Sequence, residues 1–185
     1  MLIKQMYNGF TGLIDVGRNV LFVELSNAGT FIDNDKILDK CLMENYIVFI
    51  DNDNFNQKED IIKIIKTINK RNNQIKIWIY CTPINKLASK LENVNYIVMC
   101  DGNTNYDKVK DVIIEHYVSY NSLFVFNVAT QLDIESVYKI VNLFLIPKKL
   151  VYLTTDTDNF KMLQDSAMLN KYNFCLDFKK MLWDE

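Results

Sequence analysis

Five carboxylates stand where short apolar runs of this 185-residue chain stop: Asp51 and Asp53 after YIVFI, Asp101 after YIVMC, and Asp156 and Asp158 after LVYLT. Carboxylates gathered on one rim could hold Mg²⁺, a hard cation that takes oxygen ligands and few protein contacts. A metal held there would polarise a phosphoryl oxygen and acidify a water, which is phosphatase or nuclease chemistry. The metal set for that reading is Asp51, Asp53, Asp101 and Asp156. Asn27, Thr82 and Thr155 follow other apolar runs, so Asn27, Asp51, Asp53, Thr82, Asp101 and Thr155 form a candidate ligand-binding set. Asp and Asn are also ordinary loop and helix-cap residues, and that plainer role competes with every one of these assignments.

The four cysteines, Cys41, Cys81, Cys100 and Cys175, form no CxxC or CxxxC, so they read as reduced thiols packed as small hydrophobes. The single histidine, His116, excludes any site that needs two and reads as a helix-end residue. There is no Walker A sequence, no GxGxxG and no GxSxG.

The elements that must position these residues alternate. Strands are expected at 20–26 (VLFVELS), 46–50 (YIVFI), 74–80 (QIKIWIY), 96–99 (YIVM), 122–128 (SLFVFNV) and 150–154 (LVYLT), with a last short one at 173–176. Helices are expected at 35–44, 57–71, 85–91, 106–117, 134–144 and 159–169. The clearest is 57–71, where Ile61, Ile64, Ile65 and Ile68 share one face, the start is acidic and the end basic. About six β-α units in a row imply a single α/β domain with a mostly parallel sheet flanked by helices. Function in such sheets gathers at the C-terminal ends of the strands.

Lys and Arg total 21, Asp and Glu total 23, and the net charge is -2. Duplex-DNA binding by a basic surface is therefore not expected. No apolar run reaches the ~18–20 residues of a membrane span, and MLIKQMYNGFTG lacks the features of a signal peptide, so a cytoplasmic protein is expected. Asn, Ile and Lys abound while Arg occurs only at Arg18 and Arg71, which suggests an AT-rich genome, bacterial or viral; a phage protein would act in the host cytoplasm.

VFIDNDNF resembles the strand-plus-DxD opening of haloacid-dehalogenase phosphatases. It departs from that pattern in the residues after the motif, Asn54 and Phe55, and in lying on the second strand. A broader resemblance covers nearly the whole chain. The element order, Gly17 with Phe22-Val23-Glu24-Leu25, the segment from Ile47 to Gln57, Asn95-Tyr96-Ile97, Ile146-Pro147 through Val151-Tyr152-Leu153, and the end from Tyr172 to Trp183 resemble the radical-SAM family, above all its 7-carboxy-7-deazaguanine synthases. That resemblance implies a partial barrel whose CxxxCxxC binds an iron–sulfur cluster, leaving one iron open for S-adenosylmethionine. Ala28, Ile32 and Asp35 stand at the matching cysteine positions. Asp51-Asn52-Asp53-Asn54 stands where the family has GGEP, with both glycines gone, and Phe10-Thr11-Gly12-Leu13 stands where it has its substrate loop, with the polar side chains gone.

The chain is therefore expected to be a radical-SAM-like pseudoenzyme with no cofactor. It would bind a protein partner or a second copy through apolar residues such as Phe10, Phe31, Phe55 and Trp183. The alternatives are the Mg²⁺-dependent phosphatase or nuclease and a non-reactive binder of a purine-like ligand.

Overall fold

The fold is that of a computed structural model, which describes residues 1–10, 18–51, 57–81, 91–101, 113–114, 121–155 and 159–175. One nine-stranded sheet organises the chain. Its strands are β1 (Leu2–Phe10), β2 (Asn19–Leu25), β3 (Thr30–Phe31), β4 (Tyr46–Asp51), β5 (Lys76–Cys81), β6 (Val94–Asp101), β7 (Asn121–Asn127), β8 (Val151–Thr154) and β9 (Asn173–Phe174). The order across the sheet is β3-β1-β2-β4-β5-β6-β7-β8-β9. From β2 onward through β4 to β9, neighbouring strands are parallel.

Each parallel strand is laid down beside the one before it, so the crossovers advance in one direction. Right-handed crossovers then carry each described helix to the same face. The packing agrees. Helices α1 (Asn34–Leu42), α2 (Lys58–Arg71), α3 (Gln131–Leu143) and α4 (Phe160–Asn170) bury their apolar residues in one cluster with Val23, Phe49, Ile79, Val98, Phe126 and Leu153 of the strands. Four of the five isoleucines of α2, Ile61, Ile64, Ile65 and Ile68, are buried, each contributing about 2 kcal/mol of transfer free energy. The alternate strand residues form two smaller clusters on the opposite face.

The sequence reading finds the parallel strands and helices, with small shifts. The strand expected from residue 150 starts at Val151, because Pro147 opens a one-turn 3₁₀ helix over Lys148–Leu150. The helix expected from residue 134 begins at Gln131, behind an N-cap at Thr130. The helices expected at 85–91 and 106–117, with His116, lie outside the described residues apart from Leu91, which is not helical, and a helical pair at 113–114.

One expectation is corrected. The strand at 20–26 is not the first: β1 precedes it and pairs with it antiparallel, and β3 then adds antiparallel to β1. Lys4, Gln5 and Asn8 interrupt the apolar alternation of β1, which suits its mostly half-exposed residues beyond Ile3, where β3 no longer pairs with it. The sheet is mostly parallel, as expected, and its antiparallel part is confined to this side.

Candidate functional site

The face away from the helices is the inner face, and register sets out its side chains in level rows. Phe22, Val48, Trp78, Asn95 and Asn121 are successive register partners across β2, β4, β5, β6 and β7. One step toward the strand C-termini lie Glu24, Ile50, Tyr80, Ile97 and Leu123. Further along, Met99, Val125 and Tyr152 are level, and beyond them Asp101, Asn127 and Thr154. The inner face is thus aromatic and aliphatic in the middle and polar at the C-terminal rim of β7 and β8. At its opposite end the Tyr46 ring lies 5.0 Å from the Arg18 guanidinium and 5.2 Å from the Lys76 ammonium.

A carboxylate is built into the apolar part. Glu24 is 1% exposed. The Tyr7 hydroxyl donates to its Oε1 at 3.1 Å, and the Lys4 ammonium lies 3.5 Å from its Oε2. The register shift between Ile3 and Gln5 is a β-bulge, which inserts Lys4 as an extra residue opposite Glu24. Tyr7 stacks on Phe22 with ring centroids 5.1 Å apart. Burial, then the Glu24 charge and the hydrogen bond to it, push the Tyr7 hydroxyl well above its ordinary pKa. Glu24 interrupts an otherwise apolar strand, and that was the signal in the sequence for an inward-facing polar group.

A second buried carboxylate, Asp133, lies at the rim and is occupied. Its Oδ2 accepts from the backbone N–H of Ala129 at 2.9 Å, the N–H of Thr130 at 2.8 Å and the Thr130 hydroxyl at 3.0 Å. Burial raises its pKa, but these three bonds together outweigh burial and hold it below the usual value. It is a capping-box residue that anchors α3.

The candidate residues read from sequence separate under this geometry. Asn27 is exposed in the turn after β2, and Thr155 is buried just past β8. Asp51 and Asp101 end β4 and β6. Asp51 is level with Cys81 and Val98, so Asp101 stands three residues further along, about 10 Å at ~3.3 Å per residue, with β5 between them. Asp53, Thr82, Asp156 and Asp158 lie outside the described residues. Sequence reasoning missed Asn127 and Thr154, which only register reveals. Among the described residues no three His, Cys, Asp or Glu side chains are grouped to hold a metal. Cys41 and Cys100 are buried on the helical side and Cys175 on the inner side. Burial, then the nearby Glu44 charge, pushes the Cys41 thiol up to about 12.

The turn after β2 is tied to β1. The Gly29 N–H donates to the Ser26 carbonyl at 2.9 Å, and the Ile32 N–H donates to the Met1 carbonyl at 2.9 Å. A Cβ on Gly29 would lie 2.6 Å from the carbonyl carbon and oxygen of Ile3. Ala28 is exposed, Ile32 packs against the main core, and Asp35 sits in the first turn of α1, its N–H bonded to Asp33. The Gln57 side chain holds the next stretch of β1, accepting from the Leu2 N–H and donating to the Leu2 carbonyl.

A sequentially wound parallel sheet with helices on one face and a lined inner face is a partial β/α barrel. The crystal structure of QueE from Escherichia coli is similar to it, with a TM-score of 0.70 over 95% of this chain and 93% of that chain, at 12% identity. The likeness is one of fold, and it agrees with the radical-SAM-type barrel that the sequence resemblance implies. No protein-family model matches the chain, and no curated protein matches it in sequence. Among the described residues no helix is long and apolar enough to cross a membrane.

Proposed function

We propose that this chain is a non-catalytic protein on a radical-SAM-type scaffold, which acts by binding another protein as an inhibitory or assembly factor. The observation that carries the reading is the turn after β2. The resemblance puts three cluster thiolates there, and the residues present are Ala28, Ile32 and Asp35, none of which ligates iron as a thiolate does. Their surroundings support the same conclusion. Ile32 is committed to the core, Asp35 to a helix start, and Gly29 packs directly on the β1 backbone. The buried thiols Cys41, Cys100 and Cys175 are divided between two faces of the sheet and do not replace the missing set. The residues present do not fit the cluster.

The offset between Asp51 and Asp101 weighs against a Mg²⁺ ion shared by those two strand ends. A non-reactive ligand site remains the second reading, favoured by the aromatic row on the inner face and the level pair Asn127 and Thr154. Calorimetric titration with S-adenosylmethionine, beside metal analysis of the purified protein, tests the proposal. No heat of binding and no stoichiometric metal are expected. Tight binding of S-adenosylmethionine, or stoichiometric iron or Mg²⁺, overturns it.

A further inference from the structure

The outer ends of α3 and α4 carry apolar side chains that the fold does not use. Leu143 is 64% exposed, Leu145 79%, Met168 70% and Leu169 82%. The two helices follow neighbouring parallel strands, so their C-terminal ends lie at the same end of the sheet. Both close with the same backbone pattern. The Ile146 N–H donates to the Val141 carbonyl at 3.0 Å, and the Tyr172 N–H to the Ala167 carbonyl at 2.9 Å. The pattern buries Ile146 and Tyr172 and turns the residue before each outward in the left-handed region, Leu145 at φ 53° and Lys171 at φ 59°. Glycine or asparagine is the usual residue at such a position. A leucine there is strained and also exposed, so neither backbone preference nor core packing explains it.

The cations around these leucines say what could cover them. Lys148, Lys149 and Lys171 are all exposed. The Lys148 ammonium lies 5.9 Å from the Tyr172 ring centroid, and the Asn173 side chain donates to the Lys149 carbonyl at 3.0 Å, which joins the 3₁₀ turn to the end of α4. The exposed carboxylates of α3 and α4, Glu135 and Asp165, lie one turn or more back along the helices. The surface is therefore apolar with a basic margin on a chain whose net charge is -2. A second copy of the chain meeting this surface through a two-fold axis would set the lysines against themselves.

Resting on the reading that the protein acts by binding, we propose that the ends of α3 and α4 form the docking surface for an acidic protein segment. Its aliphatic or aromatic side chains cover Leu143, Leu145, Met168 and Leu169, and its carboxylates meet Lys148, Lys149 and Lys171.

Selection of phage-displayed random dodecapeptides on the full chain tests this. It is run in parallel on a Leu145→Asn/Leu169→Gln variant and a Lys148→Gln/Lys149→Gln variant. The replaced side chains are exposed, and asparagine tolerates the left-handed backbone, so circular dichroism and melting serve as folding controls. The wild type is expected to enrich peptides that combine Asp or Glu with Leu, Phe or Trp. Both variants are expected to bind those peptides at least about tenfold more weakly. Failure to enrich acidic–apolar peptides, or equal binding by the variants, overturns the proposal. So does concentration-dependent self-association, or binding to phosphatidylserine vesicles, that the leucine variant abolishes; these outcomes would assign the surface to a second copy or to a lipid. The S-adenosylmethionine titration is unaffected by any of these results, so the two readings fail separately.

Discussion

Replacing Gly29 by Ala places a methyl carbon 2.6 Å from the carbonyl carbon and oxygen of Ile3 and 2.9 Å from its nitrogen. Ordinary contact begins near 3.4 Å, so the backbone of β1 or of the turn must give by most of an ångström. Both are pinned. Ile3 is 2% exposed, and the Ile32 and Ser26 N–H groups bond to the Met1 and Leu2 carbonyls at 2.9 and 3.4 Å. Weakening those bonds costs about 1 kcal/mol each. Part of the burial of Ile3 and Met1 is lost with them, at about 1.5–3 kcal/mol for a whole side chain. The expected loss is about 2–4 kcal/mol, or roughly 5–15 °C in Tm for a domain of this size. Urea unfolding followed by circular dichroism measures it. The matched control is Gly9→Ala, whose Cβ would meet the edge of the Phe22 ring at 3.1 Å, a side chain that can shift; about 1 kcal/mol or less is expected. If Gly29→Ala is as stable as the wild type, the turn after β2 is not seated on β1 and the reasoning fails.

Other expectations follow from single contacts. Leu145→Gly relieves a left-handed leucine and should stabilise the protein by about 1 kcal/mol in the same unfolding assay, while weakening acidic-peptide binding. Thr130→Ala removes the cap of α3 and should cost about 1–2 kcal/mol. Asp133→Asn should be destabilising at neutral pH, because the lowered folded-state pKa of Asp133 supplies stability above its unfolded value near ~3.9. That advantage should vanish as pH falls through the folded value, so melting curves of wild type and variant converge in acid. Tyr7 has the opposite sign. Its folded pKa is raised, so its stability is intact below the unfolded value near ~10 and is lost as pH rises above it. Tyr7→Phe should flatten that alkaline loss, and melting from pH ~8 to ~11.5 reads it directly.

The apolar runs YIVFI and SLFVFNV and the isoleucine stripe of α2 announce the parallel sheet and its helical cover, because buried parallel strands are continuous and apolar. β1 is hidden because Lys4, Gln5 and Asn8, on the part of the strand that β3 does not pair with, break its alternation. The end of α3 is hidden for a different reason: Leu145 occupies the left-handed position where glycine would have announced it. The start of α3 was legible in the Thr130–Asp133 spacing, a capping box that places the helix at Gln131. Within the site, Glu24 was a signal the sequence reading left unused, a charge inside an apolar strand, whereas Asn127 and Thr154 come level with the end of β6 only through register across three strands. Loop carboxylates were visible as types, but their separation along the strands was not, and the offset between Asp51 and Asp101 is a property of strand pairing.

The most direct test of the proposed non-catalytic role is anaerobic reconstitution of the full chain with iron and sulfide, read by absorption near ~400 nm, where thiolate-bound clusters absorb. With Ala28, Ile32 and Asp35 in the turn after β2, the protein should show no such band after desalting and retain no stoichiometric iron. A stable band with bound iron would mean that other cysteines of the chain assemble a cluster, and it would contradict the account.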